Sequence, residues 1–158
     1  MTRPVDNIVQ TLGNQPARLH EIDIENLVGS GKPTSQEIEM IRRRYLSAIE
    51  LQDDDLVVLA AGPHNREAVI EGWPGAIYLF KKGTDGADEA LVTFFNQIED
   101  KSIFTDLFVG SGDNLFASVI DSASEKGIKT TVVLGSGQKS WKIKADNSID
   151  LLGDDSNV

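Results

Sequence analysis

The chain has 158 residues, of which 40% are hydrophobic and 25% charged, as expected of one soluble globular domain. The absence of cysteine excludes disulfides, thiolate zinc sites and a cysteine nucleophile, and the formal net charge of −10 argues against general coating of nucleic acid. No apolar run approaches the roughly 18–20 residues of a membrane helix, and the N-terminus lacks the apolar core of a secretory signal. We therefore predict an intracellular, cytoplasmic protein without a membrane partner.

The two ends of the chain differ in composition from its middle. Residues 1–16 are polar and contain Pro4 and Pro16, which predicts a flexible N-terminal arm. Residues 17–152 are predicted to form the domain, and the acidic residues 153–158 are predicted to be a disordered tail.

Apolar runs alternate with segments of helical periodicity along the domain. Five strands are predicted, at residues 17–24, Leu56–Ala61, Ala76–Phe80, Ile103–Val109 and Ile128–Leu134. Helices are predicted between them, at Ser35–Leu51, at Arg66–Glu71, after Thr84–Ala87 and at Asp113–Lys126. Thr34 and Glu37 fit a capping box at the start of the first helix. This alternation predicts a Rossmann-like three-layer α/β sandwich with a mainly parallel five-stranded sheet, and Ser140–Leu152 is a candidate for a short edge element.

Acidic side chains follow three of the predicted strands. Asp23 ends the first strand, Asp88 comes after the third, and Asp113 comes after the fourth. Because the carboxyl ends of parallel strands meet at one edge of the sheet, we expect these carboxylates to converge there. Two carboxylates about 4 Å apart repel by on the order of 4 kcal/mol at an effective dielectric constant of about 20, so a converging set takes up a proton or a cation. Ligands that are all oxygen favour Mg²⁺ or Mn²⁺.

Part of this acidic pattern also fits a purely structural interpretation. Asp85, Asp88 and Asp113 lie at predicted helix starts, where the helix dipole favours a carboxylate, and we interpret Asp85 as a cap rather than a ligand. Asp23 differs from them because it stands between two isoleucines at the end of a predicted strand, where aspartate is disfavoured.

Basic and aromatic side chains near the predicted strand ends are candidates for contacts with a polyanion. Four basic residues would ring the acids and bind phosphate: Arg66, Lys81, Lys82 and Lys139. Trp73 and Trp141 are candidates for stacking on bases, although Trp73, next to Pro74, is equally suited to closing the end of the sheet.

Three acidic segments resemble, in order and spacing, the motifs of NYN domains, which belong to the PIN-like metal-dependent ribonucleases. They are Ile22–Leu27, Lys82–Leu91 and Gly110–Phe116, and the segment Ala145–Ile149 is more weakly similar to the final motif of that family. The resemblance covers roughly residues 18–152, which is nearly the whole chain.

This resemblance implies a PIN-like fold and metal-assisted hydrolysis of RNA, as in an endoribonuclease. It implies that Asp23, Asp88 and Asp113 are the catalytic, metal-binding carboxylates of an Mg²⁺ or Mn²⁺ site. It further implies that Asn26 is a polar companion at the first motif. Ser111 would be an accessory hydroxyl near the scissile phosphate.

Two positions depart from the family pattern. Members often carry an acid two residues after the match to Asp113 and about six residues after the match to Asp88, where this chain has Leu115 and Phe94. The sequence therefore leaves an alternative open, a catalytically degenerate PIN-like module that binds nucleic acid or a protein partner. A homodimer is also compatible with the sequence.

Overall fold

The computed structural model describes residues 17–135 and 139–152. The predicted arm at 1–16 and the predicted tail at 153–158 lie outside the described residues. None of the helices in the described part of the chain is both long enough and apolar enough to cross a membrane.

A single sheet of six parallel strands forms the middle layer. Its strands are β1 (Ala17–Asp23), β2 (Leu56–Ala61), β3 (Ile77–Phe80), β4 (Phe104–Gly110), β5 (Lys129–Leu134) and β6 (Asn147–Asp150). Their spatial order is β3-β2-β1-β4-β5-β6, and every neighbouring pair is parallel. The predicted α/β class and parallel sheet are confirmed. The sheet has one strand more than the five predicted, because the edge segment forms β6.

Helices cover both faces of the sheet, which gives three layers. They are α1 (Ile24–Val28), α2 (Ser35–Ile49), α3 (Arg66–Gly72), α4 (Gly86–Gln97) and α5 (Ala117–Glu125). Apolar residues of α1, α2 and α3 pack on one face of the sheet, and those of α4 and α5 pack on the other. The predicted capping box is present at the start of α2, where Thr34 and Glu37 bond to each other's backbone.

The order of the strands places the candidate site. From β1 the chain adds β2 and β3 on one side of the sheet, and it then returns to add β4, β5 and β6 on the other. The strand order thus reverses between β1 and β4. In open parallel sheets the crevice beyond the carboxyl ends of two such strands is the usual binding position.

Two local predictions near this crevice were wrong in detail. Residue 24 was assigned to the first strand, but α1 begins there, directly after Asp23. The helix predicted from Asp113 begins instead as a 3₁₀ turn at Asn114–Phe116 and continues as α5. In both places an aspartate caps the backbone at the point where the strand or loop changes to a helical turn.

A polar network at the other end of the sheet joins α2 to β1. The His20 ring is fully buried, with Nε2 2.8 Å from Oδ2 of Asp55 and Nδ1 2.6 Å from the hydroxyl of Tyr45 on α2. Nη2 of Arg18 donates to the same Asp55 oxygen at 2.7 Å. The ring of His20 also stacks on Phe108 of β4, with the ring centres 4.5 Å apart. We call Arg18, His20, Tyr45 and Asp55 the histidine network.

Candidate metal centre

The first carboxylate of the site belongs to Asp23, the last residue of β1. Asp23 is only 6% exposed, and its Oδ1 accepts a hydrogen bond of 3.2 Å from the backbone N–H of Asn26. This bond makes Asp23 the N-cap of α1. The carboxylate therefore has a structural task in addition to any chemical one, since it ends the strand and begins the helix.

The start of α4 brings two further carboxylates to the same end of the sheet. Asp88 lies in the first turn of α4 and is buried, whereas Asp85 lies just before the helix and is exposed. Gly86 allows this turn to approach β3, since a methyl group on Gly86 would collide with the backbone carbonyl oxygen of Lys81. A contact between backbones thus fixes where both carboxylates stand.

The loop after β4 presents the fourth carboxylate, that of Asp113. The buried hydroxyl of Ser111 accepts a hydrogen bond of 3.1 Å from the backbone N–H of Asp113. Oδ1 of Asp113 accepts a hydrogen bond of 2.9 Å from the backbone N–H of Leu115. Oδ1 of Asn26 accepts a longer hydrogen bond, 3.4 Å, from the backbone N–H of Gly112. Ser111 and Asn26 therefore shape the loop that carries Asp113.

These carboxylates converge at the crevice between β1 and β4. One carboxylate oxygen from each of Asp85, Asp88 and Asp113 lies within 4.8 Å of the other two. Asp23 adjoins the group, since its carboxyl group and that of Asp88 interact closely enough to shift each other's pKa. Oδ1 of Asp88 is buried and has no hydrogen-bond partner in the described structure. We call Asp23, Asp85, Asp88 and Asp113 the acidic cluster.

The charges in the acidic cluster raise the proton affinity of its buried members. Burial raises the pKa of Asp88 to about 9, and the hydrogen bond and charge of Asp23 and the charges of Asp113 and Asp85 contribute to the rise. Burial also raises the pKa of Asp23, although hydrogen bonds from Asp88 and from the backbone of Asn26 oppose the rise. Near neutral pH, Asp23 and Asp88 therefore hold one proton between them.

The residues of the acidic cluster fit a hard divalent cation. All four offer oxygen ligands, which Mg²⁺ and Mn²⁺ prefer, and the unpartnered Oδ1 of Asp88 lacks the donor that a buried carboxylate normally has. A cation at this point would take over the role of the shared proton and would compensate the repulsion among the carboxylates. The arrangement can therefore hold a metal ion, and three carboxylates converge tightly enough to bind one together.

Sequence reasoning missed a further buried acid, Glu21, which lies two residues before Asp23 and so on the same face of β1. Glu21 is fully buried, and neither carboxylate oxygen has a partner in the described chain. Burial raises its pKa well above the ordinary value, because an ionised carboxylate without a partner is costly to bury. The position of β1 could have revealed this burial. A strand in the middle of a sheet that is covered on both faces has no side on which water can solvate a carboxylate.

Another acid near the site, Glu25, is engaged in structure. Its Oε2 accepts hydrogen bonds from the backbone N–H of Gly62 at 2.8 Å and from Nδ2 of Asn65 at 2.6 Å. Nδ2 of Asn65 also donates to the carbonyl oxygen of Gly31 at 3.0 Å. These bonds hold the loop after β2 against α1, so Glu25 stabilises one wall of the crevice.

The four predicted phosphate-binding residues follow β2, β3 and β5, at the same end of the sheet as the acids. Nζ of Lys81 lies 2.8 Å from Oε2 of Glu89, in an ion pair of which both members are about half exposed. The guanidinium of Arg66 lies 5.6 Å from the centre of the Phe80 ring. Lys82 is exposed, and Lys139, which is also exposed, donates to a backbone carbonyl in its own turn. Their binding to phosphate stays a prediction.

Asp85 adds a fourth carboxylate to the three that the sequence predicted. The group that fits a single ion contains Asp85 with Asp88 and Asp113, and Asp23 reaches it through Asp88. Asp85 occupies the N-cap position of α4, as interpreted, but its side chain makes no capping hydrogen bond there. The spacing of Asp85 and Asp88 could have revealed their proximity, since side chains three residues apart at a helix start lie on the same side.

The two tryptophans have opposite environments. Trp73 is 3% exposed and contacts Tyr45 edge to face, with the ring centres 5.5 Å apart, so it closes the core as one of the two interpretations proposed. Trp141 is 79% exposed. Only Trp141 is therefore placed to contact another molecule.

The sequence was compared with models of protein families and with curated proteins, and neither comparison found a match.

Proposed function

We propose that this protein is a ribonuclease that uses Mg²⁺ or Mn²⁺ to hydrolyse phosphodiester bonds of RNA at the acidic cluster. The observation that carries the proposal is the convergence of Asp85, Asp88 and Asp113 within 4.8 Å, with the carboxyl group of Asp23 interacting with that of Asp88. The resemblance of the three acidic segments to NYN motifs supports the reaction type and the choice of RNA.

Each polar residue of the crevice has a defined task in this proposal. Asp85, Asp88 and Asp113 would hold the ion, and Asp23 would interact with Asp88 from the end of β1. When bound, either ion supplies a water of lowered pKa and a positive charge beside the phosphate. Asn26 and Ser111 keep the Asp113 loop in position through the backbone of Gly112 and Asp113.

Basic side chains around the crevice would contact the substrate backbone. Lys81 and Lys82 follow β3 directly, next to the start of α4 that carries Asp88. The ion pair of Lys81 with Glu89 is half exposed and therefore weak, so a phosphate can displace the carboxylate at little cost. Arg66 and Lys139 would contact phosphates farther along the strand.

An assay of RNA cleavage tests the proposal. The purified protein is incubated with single-stranded and structured RNA in Mn²⁺ or in EDTA, beside the Asp88→Asn and Asp113→Asn variants. Asp121→Asn, at an exposed position on α5, is the matched control. We expect cleavage only with the metal, its loss in both cluster variants, and no change in the control. Cleavage in EDTA, or equal cleavage by the cluster variants, would contradict the proposal.

A binding module without turnover is the second candidate. Leu115 is 39% exposed two residues after Asp113, and it lines a shallow cavity of about 250 Å³ with Lys81 and Glu89. An apolar side chain beside the acids suits a contact surface better than a second metal ion. Binding of RNA or of a protein by the wild type, with no cleavage in any divalent metal, would favour this candidate.

A further inference from the structure

Trp141 combines high exposure with a position next to the acidic cluster. It is the most exposed of the large apolar side chains in the described chain, at 79%, ahead of Met40 at 61%. The backbone N–H of Ser140 donates to the carbonyl oxygen of Gly112 at 2.8 Å, and Gly112 directly precedes Asp113. The turn that carries Trp141 is therefore fastened to the loop that carries a cluster carboxylate.

Local contacts anchor this turn. Ile143 is 2% exposed and belongs to the core on the side of α4 and α5. Its backbone N–H donates to the carbonyl oxygen of Ser140 at 3.1 Å, and its own carbonyl oxygen accepts from Nζ of Lys139 at 3.3 Å. The indole of Trp141 thus projects from a turn that is held at both ends, so contact with another molecule orders few additional groups.

The charge around Trp141 is opposite to that of the chain as a whole. Lys139, Lys142 and Lys144 are all exposed within six residues, in a chain whose formal net charge is −10. Nζ of Lys142 lies 5.8 Å from the centre of the Trp141 ring. An exposed aromatic ring flanked by lysines is the combination that binds single-stranded nucleic acid, with bases stacking on the ring and cations contacting phosphates.

We propose that Trp141 and Lys142 form a stacking subsite for an unpaired base of the RNA strand that enters the acidic cluster. The proposal rests on the proposed function for the choice of RNA, and it adds that the substrate is single-stranded at this point. A ring can stack only on a base that is free of its duplex neighbours, and any of the four bases offers such a face. The subsite therefore selects strand state rather than sequence.

Binding of RNA is measured in EDTA, and every protein carries the Asp88→Asn substitution. Under these conditions no cleavage occurs during the measurement. The probes are a short oligouridylate, the same strand annealed to oligoadenylate, and the same backbone without bases. Because Trp73 is buried, a change in tryptophan emission on binding reports Trp141. We expect quenching by the single strand, and a loss of affinity of about tenfold for Trp141→Ala but little loss for Trp141→Phe.

Two further variants make the test specific. Met40→Ala removes another exposed apolar side chain from a different surface and should leave affinity unchanged. Lys142→Ala should lower the dependence of affinity on salt concentration. The high exposure of Trp141 predicts an unchanged melting temperature for its variants, which separates binding from folding.

The inference is overturned by equal affinity of Trp141→Ala and its parent for the single strand, or by equal affinity for the strand without bases. The inference would also be overturned if Trp141→Ala weakened binding of the duplex as much as binding of the single strand. If the wild type cleaves RNA while Trp141→Ala binds normally, only the subsite fails. If no RNA is bound and none is cleaved, the proposed function fails with it.

Discussion

Asp23 and Asp88 lie in different elements, one at the end of β1 and the other in the first turn of α4, yet their buried carboxyl groups interact and shift each other's pKa. Two carboxyl groups in this position do not both ionise readily, so they share one proton near neutral pH. A divalent cation bound by the acidic cluster would replace that proton.

The first prediction concerns the pH dependence of metal binding. The pKa of Asp88 is raised to about 9, so binding of Mn²⁺ near neutral pH must release a proton. We expect the apparent affinity for Mn²⁺ to rise with pH, by up to about tenfold per unit below that pKa. Calorimetric titration in buffers of different ionisation enthalpy measures both the affinity and the proton release. Affinity that does not vary with pH would exclude exchange of a proton for the metal.

The second prediction concerns stability without metal. Asp88 has a pKa of about 9 in the folded chain, against an ordinary value of 3.8. Between these values the folded state holds a proton that the unfolded state has released, so the free energy of unfolding falls as pH rises. We expect Asp88→Asn in EDTA to remove this slope and to stabilise the protein by about 0.5–2 kcal/mol above neutral pH.

Thermal unfolding with and without Mn²⁺ checks that prediction. The metal should raise the melting temperature of the wild type by mass action and leave Asp88→Asn unchanged. The exposed control Asp121→Asn should behave as the wild type does. A cluster variant less stable than the wild type in EDTA at high pH would show that the carboxyl group stabilises the fold.

The third prediction concerns the histidine network on the acid side. Burial would raise the pKa of Asp55, but hydrogen bonds from His20 and Arg18 outweigh it and hold that pKa well below its ordinary value. Burial lowers the pKa of His20, against the opposing effect of Asp55. Both shifts mean that the unfolded state binds more protons. Stability should therefore fall as pH drops below about 6.5, and again as it drops through about 4.

Replacing Asp55 measures that effect directly. Asp55→Asn should cost about 2–3 kcal/mol near neutral pH, because Arg18 and His20 lose a charged acceptor, and it should flatten the acid limb of the profile below about pH 4. Asp54→Asn, an exposed neighbour in the same loop, is the control and should change little. Urea unfolding between about pH 2 and pH 8 gives both quantities. An unchanged acid limb in Asp55→Asn would assign the pH dependence to other groups.

The fourth prediction concerns Gly86. An alanine there would meet the carbonyl oxygen of Lys81, so the first turn of α4 must shift away from β3. We expect Gly86→Ala to lose about 1–3 kcal/mol of stability and to weaken Mn²⁺ binding, although no ligand is changed. Gly31→Ala is the matched control, since a methyl group there has no neighbour within 4 Å. Wild-type Mn²⁺ affinity in Gly86→Ala would show that α4 can move without disturbing the acids.

The sequence predicted most of the regular elements because their signals are local. The continuous apolar run Leu56–Ala61 coincides with β2, and the capping box fixes the start of α2 at Ser35. α1 was missed because a five-residue helix is too short to show its period, and Asp23 between two isoleucines imitates the alternation of a strand. β6 is mostly exposed, so little apolar pattern marks it.

The candidate site was predictable in outline and not in detail. Parallel topology was enough to bring Asp88 and Asp113 together, since it places the carboxyl ends of all strands at one edge. Whether Asp23 or Asp85 completes the group of three depends on how α4 begins, and the close approach of Gly86 to the carbonyl oxygen of Lys81 sets that start. A close approach of two backbone segments leaves no residue pattern that a single sequence reveals.

His20 and Asp23 lie three residues apart on β1 and point to opposite faces of the sheet. The histidine network fastens α2 to one face, whereas the acidic cluster stands at the rim beyond the carboxyl ends of the strands. The two groups have no side chain in common. Replacing Asp88 would therefore alter what the rim can hold and leave the anchorage of α2 to β1 intact.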